Sequence, residues 1–318
     1  MTDLLTLGET MVSVRTARPM RLGGDAHLSI AGSESNVAIG VARLGHDVTW
    51  LSAVGNDEPG RLIERTLRAE NVRTRIRFSD EAFTGFIAFD QPSHDITRVS
   101  YHRRGSAAST LTPDETTEAV TTLTPKLLHV TGITPALSDT ARAATLAAVR
   151  TAAAAGTRVS LDVNYRARLW SRPAAAAALR ELLPQIHTVF ASDDELDLLT
   201  DADDPIADLL RTVTTVVVTA GAKGAWCHTT GPTSGEPTEG QTIHAPALHV
   251  TVVDSIGAGD AFVSGYLSAT LDNLSPQECL HRATTSGAFC VTAYGDWESL
   301  PTRQDLTLLT HTQGTALR

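Results

Sequence analysis

The stretch DSIGAGDAF, residues 254–262, predicts a turn from a strand into a helix with an anion site at the turn. It follows the β-branched run VTVV, residues 250–253, and opens an apolar pattern typical of a helix. The N–H groups of Gly257, Ala258 and Gly259 would have no partner inside that helix, and the positive end of the helix dipole favours an anion beside them. The glycine turn is therefore predicted to bind phosphate.

Asp260 follows the glycine turn directly. A carboxylate beside a phosphate is repulsive unless it takes the proton of the group that attacks the phosphorus, so a general base for phosphoryl transfer fits this position. The alternative is an aspartate that caps the helix N-terminus behind a flexible glycine turn. This stretch alone does not decide between the two.

Two further segments lie near the N-terminus: AGSESNVAIGVARLG, residues 31–45, and VGNDEPG, residues 54–60. Together with residues 254–262, they resemble the two signature segments of the PfkB family of carbohydrate kinases in both order and separation. Family-like segments recur from Gly8 to about Pro301. The resemblance implies an α/β, ribokinase-like fold, in which a mostly parallel central sheet is flanked by helices and carries a small β-sheet lid.

The composition agrees with one large enzyme domain. The chain has 318 residues, 42% of them hydrophobic and 19% charged, and we expect a single domain over residues 1–312 with a short tail at 313–318. The formal net charge of −10 argues against nucleic-acid and membrane-surface partners. Three widely spaced cysteines predict free buried thiols. With no targeting or membrane-spanning segment in the sequence, we expect a cytoplasmic protein.

Short β-branched runs alternate with helical patterns along the chain. They predict strands at 4–7, 48–53, 127–131, 159–163, 188–191 and 216–219, and helices at 34–44, 61–70, 139–155 and 174–183. This alternation predicts a mostly parallel sheet with ligands beyond the carboxyl ends of its strands. By the resemblance, the strand-like pieces within 11–30 and 85–103 form the lid over the sugar. Residues 229–241 predict a hairpin or surface loop.

Three further segments, residues 100–109, 129–138 and 160–170, resemble the 2-keto-3-deoxygluconate kinases of this family. The resemblance implies that Tyr101, Arg103 and Arg166 contact a sugar acid. A guanidinium meets a carboxylate with two parallel charge-assisted hydrogen bonds, each contributing about 1.5–3 kcal/mol. A neutral hexose gives no reason for two arginines. Ser13 points the same way, because fructokinases carry an aspartate at that place, where it would repel a sugar acid.

The other sugar-side candidates are Gly32 and Asn36, a close glycine turn and a polar amide at a helix start that suit sugar hydroxyls. Each arginine also has a structural interpretation: Arg103 could belong to a solvated basic edge, and Arg166 could pair with Asp162. Tyr101 could be a packing residue.

The nucleotide side is assigned by resemblance. Residues 216–225, VVVTAGAKGA, resemble the family's strand and glycine turn beside the nucleotide, which makes Thr219, Gly221 and Gly224 candidates together with Gly257 and Gly259. Ser192 and Glu195 lie where many relatives carry Asn-x-x-Glu, whose glutamate helps to organise Mg²⁺ and phosphate; Ser192 departs from that pattern. Thr284, Ser286 and their neighbours, on the predicted helix after Ser275, are candidates for the adenine side.

The resemblance implies transfer of the γ-phosphoryl group of ATP, with Mg²⁺, to the 6-hydroxyl of 2-keto-3-deoxygluconate. Asp260 would be the base, and the amides of Gly257, Ala258 and Gly259 would form the anion hole. The alternatives are a neutral sugar kinase of the fructokinase or ribokinase type, a nucleoside kinase, and a catalytically silent sugar-acid sensor. A homo-oligomer, a dimer or larger, is implied. The sequence leaves open a monovalent-cation requirement, the nucleotide preference and the choice between gluconate- and galactonate-derived acids.

Overall fold

The computed structural model describes residues 2–93, 96–230 and 240–310. The strands are β1 (Leu4–Leu7), β2 (Met11–Arg15), β3 (His27–Ala31), β4 (Val48–Gly55), β5 (Val72–Ser79), β6 (Phe86–Ser93), β7 (Ile96–His102), β8 (Leu127–Thr131), β9 (Arg158–Asp162), β10 (Thr188–Ser192), β11 (Thr215–Thr219), β12 (Ala225–Thr229) and β13 (Gln241–Ala245). The helices are α1 (Ser33–Arg43), α2 (Glu58–Ala69), α3 (Pro113–Leu123), α4 (Asp139–Ala154), α5 (Arg172–Leu182), α6 (Pro205–Leu209), α7 (Ala258–Leu271) and α8 (Pro276–Cys290). Short 3₁₀ helices connect several of them.

Nine strands form the central sheet, in the order β13-β12-β11-β10-β9-β8-β1-β4-β5. The strands from β11 to β5 run parallel, and β12 and β13 close one edge as an antiparallel hairpin. Helices cover both faces. One apolar core packs α1, α2, α7 and α8 on one face, and a second packs α3, α4, α5 and α6 on the other. The predicted α/β class and mostly parallel sheet are confirmed.

The lid is a separate four-stranded sheet in the order β3-β2-β6-β7. Its strands fall within the two segments that the sequence assigned to it, residues 11–30 and 85–103, apart from the last residue of β3, Ala31. Four of its side chains form a small apolar cluster, against which Ile256 of the glycine turn packs: Met11, Ala31, Ile87 and Phe89. The lid is therefore in direct contact with the segment that precedes α7.

Most predicted elements lie within a few residues of their observed bounds, but the predicted strand at residues 250–253 is wrong. This segment is irregular, and Val252 and Val253 are 64% and 41% exposed. The N–H of Val253 donates to the carbonyl of Val291 just beyond α8, at 2.7 Å, rather than to a neighbouring strand. The hairpin β12–β13 already occupies that edge of the sheet, so this β-branched run forms a wall of the cleft instead.

The remaining predictions concern the thiols and the loops. Cys227, Cys279 and Cys290 are free and buried, as predicted. Residues 229–241 do join the two strands of a hairpin, β12 and β13, although residues 231–239 and the predicted tail at 313–318 lie outside the described residues. Across the part of the chain that the structure describes, no helix is both long and apolar enough to cross a membrane.

Candidate active site

Two adjoining cavities open at the carboxyl edge of the central sheet. The first, of about 450 Å³, lies between the lid and the N-terminus of α7. The second, of about 550 Å³, lies between the β11–β12 turn and α8. Residues shared by both linings are Thr219, Ser255, Ala258, Gly259 and Phe262. The start of α7 therefore lies where the two cavities meet, which suits transfer of a group from a ligand in one to a ligand in the other.

The glycine turn has the backbone geometry of an anion site. Gly257 holds the N-cap position of α7 in the left-handed region, with φ 77°, and a Cβ there would lie 2.1 Å from the carbonyl oxygen of Asp296. Within the described residues, the N–H groups of Gly257 and Gly259 have no protein acceptor, and that of Ala258 makes only a long 3.4 Å bond to Ser255. These donors face the first cavity at the positive end of a 14-residue helix.

Asp260 does not cap the helix. It is the third residue of α7, and the N-cap position has no side-chain hydrogen bond. The Asp260 carboxylate is instead 8% exposed, lines the first cavity and accepts one hydrogen bond on each oxygen. Ser33 Oγ donates to Oδ1 at 2.6 Å, and Asn36 Nδ2 donates to Oδ2 at 2.7 Å. Each oxygen keeps a further lone pair, so the carboxylate is fixed in place yet able to take a proton from a ligand.

The other sugar-side candidates converge on the same cavity. Gly32, Asn36, Tyr101, Arg103 and Arg166 all line it together with Asp260. A Cβ at Gly32 would lie 2.5 Å from the carbonyl oxygen of Glu9, so the close approach of the start of α1 to the connection between β1 and β2 requires glycine. The carbonyl oxygen of the Asn36 side chain is buried and has no hydrogen-bond partner among the described residues, so it is available to a sugar hydroxyl.

The two arginines differ in their surroundings. Arg103 is not on a solvated edge: it is 9% exposed, and its Nε donates to the buried Glu9 carboxylate at 2.5 Å. In the described part of the chain its terminal amino groups have no protein acceptor, so Glu9 anchors the guanidinium and leaves its outer end to the cavity. Arg166 is exposed, and its one hydrogen bond within the described residues is a long 3.5 Å contact to the carbonyl of Tyr165. It forms no ion pair with Asp162 there.

Tyr101 lies at the cavity rim on β7 and is 39% exposed, so it is not simply a packing residue. Ser13 lines a neighbouring cavity, which shares Asp296 with the first, and does not line the first cavity itself. The absence of an aspartate at position 13 therefore gives weaker support for a sugar acid than the sequence suggested.

Several carboxyl groups line the first cavity: Asp162, Glu195, Asp260 and Asp296. Burial, with the charges of Glu195 and Asp260, raises the pKa of Asp162 well above its usual value. Burial, with the charges of Asp260 and Glu298, raises the pKa of Asp296 to about 7. Both shifts reflect the cost of placing further negative charge here, and a divalent cation brought in with a nucleotide would offset that cost.

Glu195 fits an indirect role toward such a cation. Its two oxygens accept from the backbone N–H groups of Tyr165 at 2.7 Å and Ser192 at 2.9 Å. Because both oxygens are already hydrogen-bonded, Glu195 would contact a cation through water. Within the described residues, no group of three or more His, Cys, Asp or Glu side chains is placed to hold a metal directly. Such an arrangement suits Mg²⁺, which usually arrives with phosphates and keeps several waters.

On the nucleotide side the predicted residues divide between the cavities. Thr219, Gly221, Gly224 and Gly259 line the second cavity, whereas Ser192 lines the first, beside its strand neighbour Thr219. Ser286 is a wrong prediction. The face of α8 toward the cavity carries Thr284, Gly287, Ala288 and Val291, at helical spacing, while Ser286 is fully buried against Gly265 of α7.

Several cavity residues were not predicted from the sequence: Glu9, Ser33, Asp162 and Asn164. Asp162 and Asn164 carried a usable signal, since both lie in the DVNYRAR segment that also contains Arg166. Ser33 lies in the AGSES segment beside Gly32, but the sequence gives no signal for its contact with Asp260, which is 227 residues away.

Comparison with known proteins agrees with this geometry. The family model described as pfkB family carbohydrate kinase matches residues 1–303. A 2-dehydro-3-deoxygluconokinase of Bacillus subtilis is 36% identical, over 96% of this chain and 94% of the relative. A 2-dehydro-3-deoxygalactonokinase of Haloferax volcanii is 32% identical over 92% of both, and a fructokinase of Klebsiella pneumoniae is 33% identical over 86% of this chain and 90% of the relative.

Solved structures show the same fold. A PfkB protein from a Polaromonas species superposes with a TM-score of 0.82 at 31% identity, covering 97% of this chain and 99% of that one. The family model and these full-length relatives identify the family. The chain therefore belongs to the pfkB family of carbohydrate kinases and is a phosphotransferase that acts on a sugar hydroxyl.

Proposed function

We propose that this kinase transfers the γ-phosphoryl group of ATP to the 6-hydroxyl of 2-keto-3-deoxygluconate, giving 2-keto-3-deoxy-6-phosphogluconate. The observation that carries the proposal is the pair of guanidinium groups, Arg103 and Arg166, in the lining of the cavity that Asp260 enters. The sugar acid would present its carboxylate to the arginines and its terminal hydroxyl to Asp260. The B. subtilis relative, a 2-dehydro-3-deoxygluconokinase, supports the same substrate.

The chemistry follows from the placement of the groups. The hydroxyl oxygen attacks the γ-phosphorus as Asp260 takes its proton, and the bond from the γ-phosphorus to the β–γ bridging oxygen breaks, so that ADP leaves. The N–H groups of Gly257 and Gly259, which have no acceptor in the described part of the chain, stabilise the charge on the phosphoryl oxygens. ATP with Mg²⁺ is supported by an E. coli structural neighbour solved with both ligands. Bound Mg²⁺ would offset the phosphate charge.

A substrate panel tests this proposal. ADP release would be measured with 2-keto-3-deoxygluconate, its galactonate-derived epimer, fructose and ribose at equal ATP and Mg²⁺. We expect kcat/KM for one or both sugar acids to exceed that for fructose by about 10²-fold or more, because the neutral sugars lack the charge-assisted pairs. Higher kcat/KM for fructose would overturn the sugar-acid assignment. The two acids in the panel also resolve the epimer preference.

We also propose a cytoplasmic homo-oligomer without nucleic-acid or membrane partners. The three free cysteines support a reducing compartment, and the net charge of −10 disfavours anionic polymers and surfaces. The edge strands of the lid, β3 and β7, carry the exposed side chains Leu28 (60%) and Ile96 (58%), which suit pairing with a second copy. Light scattering of the purified protein measures the assembly.

A further inference from the structure

We propose that Ser33 and Asn164 are positioning residues, which hold the Asp260 carboxylate in the orientation needed to accept the substrate proton. The inference rests on the proposed role of Asp260 as the base and extends it to two residues that need not touch the substrate. It starts from an unbroken chain of hydrogen bonds behind the carboxylate.

The chain joins three parts of the fold. Asn164 Nδ2, in the loop after β9, lies 3.1 Å from Asp162 Oδ2 and 2.9 Å from Ser33 Oγ at the start of α1. Ser33 Oγ in turn donates to Asp260 Oδ1 of α7 at 2.6 Å. Ser33, Asn164 and Asp260 are 7%, 8% and 8% exposed, so little water competes for these bonds.

The chemistry of the groups gives the chain one direction. An amide nitrogen has two hydrogens and no acceptor capacity, so Asn164 can donate to both Asp162 and Ser33. Because the Ser33 oxygen accepts from Asn164, its single hydrogen is directed at Asp260. Reversing the amide would place its carbonyl oxygen beside the Ser33 oxygen, and Ser33 has only one hydrogen, which Asp260 already accepts.

A helix-capping role does not account for Ser33. It is the first residue of α1, and the N-cap position of that helix, Gly32, has no side-chain hydrogen bond. The nearby Ser35 bonds to the carbonyl of Gly32 at 2.9 Å and does not contact Asp260. The Ser33 hydroxyl therefore accepts a hydrogen bond from Asn164 and donates one to Asp260.

The backbone at position 164 supplies a matched variant. Asn164 has φ 39°, in the left-handed region that asparagine and aspartate both tolerate. Asn164→Asp keeps the shape and the backbone preference but replaces the donor nitrogen with an acceptor oxygen. That oxygen would compete with Asp260 for the Ser33 hydrogen.

A kinetic double-mutant cycle tests the inference. We expect Ser33→Ala to lower kcat by about 10–100-fold with KM values for sugar and ATP within about threefold, because a small misplacement of the base costs rate rather than binding. Asn164→Asp should lower kcat at least as much. In an Asp260→Asn background, Ser33→Ala should change kcat by less than about twofold, since the group it positions is already lost. Ser35→Ala, a buried serine of the same helical turn, is the control and should stay within about twofold of wild type.

The outcomes separate the two proposals, provided that thermal unfolding shows each variant to be folded. A wild-type kcat in Ser33→Ala alongside an impaired Asp260→Asn would overturn the positioning role alone. An undiminished Ser33→Ala effect in the Asp260→Asn background would also overturn it, since the serine would then act elsewhere. Near-normal turnover by Asp260→Asn itself would overturn the base assignment.

Discussion

Asp260→Asn is expected to lower kcat by about 10²–10⁴ while KM for the sugar acid changes little. The amide is close in shape to the carboxylate but cannot take up the hydroxyl proton at neutral pH. It also presents one nitrogen to a pocket in which Ser33 and Asn36 both donate, so one of these hydrogen bonds is lost. The loss falls on the chemical step, because the arginines that would hold the sugar carboxylate are untouched.

The measurement is steady-state ADP release at saturating ATP, Mg²⁺ and sugar acid, with unfolding temperature and sugar affinity determined on the same preparation. Asp272→Asn is a control for the loss of one negative charge, since Asp272 follows the far end of α7 and pairs with Arg282 and Arg303. If Asp260→Asn keeps more than about a tenth of the wild-type kcat, Asp260 is not the general base, because removing such a base lowers the rate far more than this.

The second large effect is a change in substrate preference. Arg166→Ala is expected to lower kcat/KM for 2-keto-3-deoxygluconate by about 10²-fold or more, which corresponds to the loss of two charge-assisted hydrogen bonds of about 1.5–3 kcal/mol each. The neutral analogue 3-deoxyfructose carries a hydroxymethyl group in place of the carboxylate. Its kcat/KM should change by less than about threefold, because it makes no ion pair to lose.

Arg103 needs a different variant, because removing its side chain would leave the Glu9 carboxylate buried and unpaired. Arg103→Lys keeps the positive charge beside Glu9 but cannot form the two-pronged pair with a carboxylate. Arg103→Lys should therefore also lower kcat/KM for the sugar acid more than kcat/KM for the neutral analogue.

Arg168→Ala serves as the control, since Arg168 is exposed on the same loop as Arg166 and bonds to the carbonyl of Val99. Equal losses for acid and neutral sugar in Arg166→Ala would argue against carboxylate recognition.

The parts of the site that the sequence predicted are those encoded by neighbouring residues. The glycine turn and Asp260 are contiguous, so helix-terminus chemistry could be inferred from their order alone. The sheet followed in the same way from the alternation of β-branched runs and helical patterns. Arg103 and Arg166 were reached by resemblance, and the structure brings them to one cavity with Asp260.

The wrong predictions arise where tertiary packing overrides a local sequence pattern. Residues 250–253 have the composition of a strand, but a strand also needs an open sheet edge, and β13 occupies it. Ser286 was placed on the correct helix but on the wrong face, because the sequence does not give the rotation of α8 about its axis. The Glu9–Arg103 pair joins residues 94 positions apart, and local patterns carry no signal for such a contact.

A crystal structure with 2-keto-3-deoxygluconate and a non-hydrolysable ATP analogue tests the central claim most directly. The account predicts the sugar's terminal hydroxyl oxygen within about 2.6–3.2 Å of an Asp260 carboxylate oxygen, and the sugar carboxylate on the outer ends of Arg103 and Arg166. The γ-phosphate should lie against the N–H groups of Gly257 and Gly259. A sugar bound with its carboxylate remote from both arginines, or with no hydroxyl near Asp260, would contradict it.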